Sequence, residues 1–142
     1  MPSQVTFRDV QSYLDAIADN PVDNGDIDSS NHQRFWNSPY KTFLTMTVPG
    51  ENCNGQPIPV VGALDANGNA NLAQCPFYQA LVGPTGWCNK GQMPRTGPPQ
   101  AFITDPGCSV QVTKADGTKA TMTGQQIRSN IEWWLTHGLP ET

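Results

Sequence analysis

Long apolar runs, clustered positive charge and histidine are all scarce in this chain, and each scarcity excludes a class of function. No apolar stretch approaches the roughly 20 residues needed to span a bilayer. Lysine and arginine together number 8 among 142 residues, against 12 aspartates and glutamates, and the net charge is −4. With no basic cluster, nucleic-acid binding has no electrostatic footing. Two histidines, His32 and His137, stand far apart in the sequence and offer little to a His-rich zinc or copper site. Also missing are a metal-type Cys-x-x-Cys, a Gly-x-Ser-x-Gly, a phosphate-cradling glycine loop and a His-Glu-x-x-His. Nothing local points to two carboxylates meeting in a cleft. No catalytic residue is therefore assigned, and an enzyme is not the expected reading.

What is present is glycine and proline, 13 of each, and twelve aromatics spread along the chain (4 Trp, 3 Tyr, 5 Phe). The aromatics argue against disorder, and the glycines and prolines argue for long ordered connections. The length fits one domain, residues 1–142, with a sizeable core. Four cysteines, Cys53, Cys75, Cys88 and Cys108, lie in the loop-rich middle. Their even number and wide spacing predict two disulfides and an oxidising compartment, extracellular or periplasmic. Three pairings are open; Cys53–Cys75 with Cys88–Cys108 closes the shortest loops and is the expected one. Met1-Pro2-Ser3 begins no signal peptide, so export would make this the mature part behind an added start methionine.

Along the chain, residues 6–19 read as a helix capped by Thr6, with Phe7, Val10, Leu14 and Ile17 on one face. Residues 19–30 form an acidic, turn-rich loop. A second helix is expected from Pro39, with Tyr40, Phe43, Leu44 and Thr47 sharing a face and Pro49-Gly50 as its stop. Residues 51–72 read as irregular around an Asp65–Gly68 turn. A third helix covers 76–82. After the long loop 83–107, Val110, Val112, Ala120 and Met122 alternate across Asp116-Gly117, a β-hairpin pattern. The last helix opens on the capping box Thr123-x-x-Gln126 and carries Ile127, Ile131, Trp134 and Leu135 to Gly138.

Several of these pieces stand in the order found in cytochrome c domains. The chain has Phe7-x-x-Val10-x-x-x-Leu14, Tyr40 to Gly50, Cys75-Pro76-Phe77-Tyr78-Gln79-Ala80-Leu81-Val82-Gly83 and Gln92-Met93-Pro94. It closes on Ile127-x-x-x-Ile131-x-x-Trp134-Leu135-x-x-Gly138-x-Pro140. The chain resembles that family over most of its length, and the hairpin at about 108–122 looks like an insertion. The resemblance implies a mainly α fold, a cytochrome c-like helical domain with long loops and a small β-hairpin. Where the family carries Cys-x-x-Cys-His, this chain has Asp28-Ser29-Ser30-Asn31-His32, so covalent haem is excluded at that place.

The expected function is an exported, haem-free binding or assembly module with a protein partner, needing no cofactor. On this reading Phe35, Trp36 and Trp87 substitute for the packing a haem would supply. One alternative is an electron carrier holding haem non-covalently, with His32 and Met93 as the axial ligands the resemblance implies. Another is a copper or calcium protein, calcium drawing on Asp19, Asp23, Asp26 and Asp28.

Overall fold

The computed structural model describes residues 4–18, 34–82, 88, 109–114 and 116–142. The first helix, α1 (Phe7–Ala18), begins where the sequence supplies its own cap. Thr6 Oγ1 accepts the Asp9 N–H at 3.3 Å, and the Asp9 carboxylate accepts the Thr6 N–H at 2.9 Å. Two orphan helix donors are satisfied in this way. Phe7, Val10, Leu14 and Ile17 are buried as their spacing predicts, and Tyr13 joins them.

Next come a one-turn 3-10 segment (Phe35–Asn37), α2 (Tyr40–Thr45), β1 (Thr47–Cys53) and β2 (Gln56–Pro59). A second 3-10 turn (Leu72–Gln74) precedes α3 (Pro76–Val82). Then β3 (Ser109–Thr113) and β4 (Lys119–Thr123) lead into α4 (Gly124–Thr136). The strands form two separate antiparallel sheets of two strands each, β1 with β2 and β3 with β4. In the second, Val110 faces Met122 and Val112 faces Ala120 across the Asp116-Gly117 turn, so one face is apolar. Val112 is sealed in the core.

The expectation of a mainly α, cytochrome c-like fold is therefore corrected: this is a small mixed α/β domain. Much of the difference lies at 47–59. Helix α2 stops at Thr45 because Thr45, Thr47 and Val48 are β-branched and Pro49 pushes the residue before it out of helical geometry. The chain becomes a strand instead, and it reverses at Asn54-Gly55, whose φ values of 52° and 80° are both left-handed. That is the pattern a two-residue type I′ hairpin demands. Cys53 and Gln56 flank the turn in register, and the pairing is irregular between Thr47 and Asn52.

The core gathers on Phe43. Its ring lies 5.2 Å from Phe7, 5.9 Å from Phe77 and 6.2 Å from Trp134, edge-on or tilted, so α1, α2, α3 and α4 meet through aromatic contacts. Gly62 (φ 87°) passes the start of α3 so closely that a Cβ there would sit 2.9 Å from the Gln74 carbonyl. The C-terminal tail closes the core. Leu139 is fully buried, and the Pro140 carbonyl accepts both the Phe7 N–H and the Trp134 Nε1–H at 2.9 Å. Tyr40 donates its hydroxyl proton to the Leu139 carbonyl, and Gln4 Nε2 reaches Thr142 O at 3.0 Å.

Candidate functional site

His32 and Met93, the two residues expected to ligate haem under the electron-carrier reading, lie outside the described residues, as do Trp87, Cys108 and the acidic stretch Asp19–Asp28. What is described is the ground on which the segment carrying His32 ends. Arg34, Phe35, Trp36 and Asn37 are fastened to the last two turns of α1 by one carboxylate. Asp15 Oδ1 accepts from Trp36 Nε1 at 2.8 Å, Asn37 Nδ2 at 3.1 Å and Arg34 at 3.5 Å. One turn earlier, Gln11 Nε2 donates to the Trp36 carbonyl at 2.9 Å. The Trp36 ring is buried and meets Phe35 edge-on at 5.4 Å.

The cysteines correct the expected pairing. Cys53, at the end of β1, is bonded to Cys88, with Cα atoms 6.0 Å apart and a sequence separation of 35. Cys75 is free and buried. Loop length was a poor guide, because lengthening the closed loop from 22 to 35 residues costs only about 0.4 kcal/mol of closure entropy. Packing decides instead. Cys75 leads into α3 with its thiol turned into the core, 4.0 Å from the Val60 carbonyl. Burial pushes this thiol up to about 11, although the backbone N–H groups of Tyr78 and Phe77 pull the other way. A thiol held so far from its thiolate is inert.

A third group of side chains lies along α4 and α3. Arg128 pairs with Glu132 at 3.2 Å, one turn on. Burial is the main cause that raises the Tyr78 phenol above its ordinary value, with the hydrogen bond from Arg128 opposing it. Beyond them the His137 ring stacks on Trp133 at 4.3 Å and 7°. His137 Nδ1 sits 2.7 Å from the Trp133 carbonyl, which can only accept, so the Nδ1 proton points there. Trp133 is half-buried under this imidazole lid.

The four described aspartates each accept hydrogen bonds from protein donors. Asp9 caps α1, Asp15 holds the 34–37 segment, Asp65 binds the N–H groups of Asn67 and Asn69, and Asp116 binds Thr118. Among the described residues, no three His, Cys, Asp or Glu side chains gather as a metal site, and no helix is long and apolar enough to cross a membrane. Neither the sequence pattern of Asp15 with Trp36 nor that of Trp133 with His137 suggested these contacts. The second pair has helical i, i+4 spacing, which could have shown it.

Comparison with protein-family models, with curated proteins and with solved structures finds no match, and nothing in them points to a cytochrome c-like domain.

Proposed function

We propose that this chain is an exported, haem-free binding or assembly module that recognises a protein partner and performs no chemistry of its own. The observation that carries the reading is the aromatic cluster on Phe43. The space where four helices meet is filled by the chain's own rings at van der Waals separations, so its packing needs no cofactor. Two further features support it. The described aspartates are occupied in a helix cap, in turns and, for Asp15, in holding the 34–37 segment, where they build structure. The Cys53–Cys88 disulfide suits an extracellular or periplasmic setting.

A module of this kind takes its specificity from loops and turns held on a rigid frame. Asp15 and the disulfide are the fasteners of that frame. The test is titration of the purified chain with haemin, Cu²⁺ and Ca²⁺, followed by absorption spectroscopy and calorimetry. The reading expects no saturable uptake of any of the three. A Soret band that saturates with haemin and shifts on His32→Ala or Met93→Ala overturns it in favour of an electron carrier. Stoichiometric metal uptake overturns it in favour of a metal protein.

A further inference from the structure

We propose that Asn54 is a site of spontaneous deamidation, a modification that the fold leaves open here and hinders at Asn67-Gly68, as it hinders the corresponding imide-forming isomerisation at Asp116-Gly117. The reaction needs an accessible asparagine side chain and a following backbone nitrogen free to attack it. The Gly55 nitrogen bonds to Cγ of Asn54, its proton leaves with the side-chain nitrogen as ammonia, and a cyclic imide results. Water then opens the imide at either carbonyl, giving aspartate or isoaspartate.

Asn54 and Gly55 are both exposed at the tip of the β1–β2 hairpin. Neither the Asn54 side chain nor the Gly55 N–H has a hydrogen-bond partner among the described residues. The other pairs differ. At Asn67-Gly68 the glycine N–H donates to the Asp65 carbonyl at 3.0 Å, and the Asn67 N–H donates to the Asp65 carboxylate at 2.8 Å. At Asp116-Gly117 the glycine N–H donates to the Lys114 carbonyl at 2.9 Å, and the carboxylate accepts from Thr118 Oγ1 at 2.6 Å. Attack at either place first breaks these bonds.

The consequence falls on the hairpin. Both products add a negative charge at its tip, one residue from the disulfide. Isoaspartate also lengthens the backbone inside a two-residue turn, where Cys53 and Gln56 are held in register. The modification therefore alters the surface beside the Cys53–Cys88 link.

The test is incubation of the full chain at physiological pH and temperature, folded and in urea, with peptide mapping by mass spectrometry and enzymatic detection of isoaspartate. In urea Asn54 and Asn67 should convert at similar rates. In the folded chain Asn54 should outrun Asn67 by roughly fivefold or more, the factor set by one net hydrogen bond. Asn54→Gln should abolish isoaspartate at the hairpin while the circular dichroism spectrum stays unchanged. Equal rates at Asn54 and Asn67 in the folded chain overturn the proposal. So does an Asn54 that stays intact over the time in which the unfolded chain converts.

Discussion

Two buried polar groups show how single residues set the terms of this fold. Trp36 is buried and its indole N–H donates to Asp15 at 2.8 Å, so the carboxylate satisfies the one donor of a buried ring. The Arg34 contact to the same oxygen adds little, because Asp15 is 38% exposed and water screens the pair. Asp15→Ala should therefore cost about 1–3 kcal/mol in urea unfolding, the penalty of a stranded donor. Asp15→Asn, which keeps an acceptor, should cost less, and equal losses would refute the assignment. Cys75 predicts a pH dependence. Its thiol ionises at about 9.0 in the unfolded chain and at about 11 in the folded one. Below the lower value both states hold the proton and stability is unaffected. Between the two the unfolded chain loses its proton first, so stability falls as pH rises, by on the order of 2–3 kcal/mol at the upper end. Cys75→Ala should flatten that alkaline limb in thermal melts at a series of pH values. An unchanged limb would contradict the burial of the thiol.

Among the elements, the β1–β2 hairpin depends most on a covalent tie. Replacing Cys53 and Cys88 together by serine removes a link spanning 35 residues and should destabilise the chain by about 4 kcal/mol in the chain-entropy account. Chemical denaturation of the double variant measures this, and a loss below about 1 kcal/mol would show the tie to be incidental. The same hairpin marks where sequence reading fell short. Asn54-Gly55 is as direct a hairpin signal as Asp116-Gly117. It was masked by Pro49, Pro57 and Pro59, which look like strand breakers. In a sheet of two strands every strand is an edge, and an edge tolerates proline. Helices α1 and α4 were legible because Thr6 and the Thr123–Gln126 box announce their starts and their apolar spacing persists over three turns. Helix α2 was overrun because tyrosine, phenylalanine and leucine at helical spacing hide a β-branched end. The disulfide was illegible since closure entropy barely separates the candidate pairings, and core packing around Cys75 decides. The Asp15 node joins residues too distant in sequence for any spacing rule to reveal.

For the molecule as a whole, the central claim is that its interior is filled by its own aromatic side chains. Phe43 is wholly buried and touches Phe7, Phe77 and Trp134, one from each of the other three helices. The tail from Leu139 to Thr142 lies against α1 and its N-terminal flank, so the same region also joins the two ends of the described chain. Loss of the Phe43 ring should therefore loosen α1, α2, α3, α4 and the tail together. The most direct measurement is the unfolding free energy of Phe43→Ala in urea, followed by fluorescence and circular dichroism. One cooperative transition weakened by about 3–5 kcal/mol is expected, the scale for truncating a core aromatic. A loss below about 1 kcal/mol would mean that these rings do not form the load-carrying core, and the claim of a self-filled interior would fall.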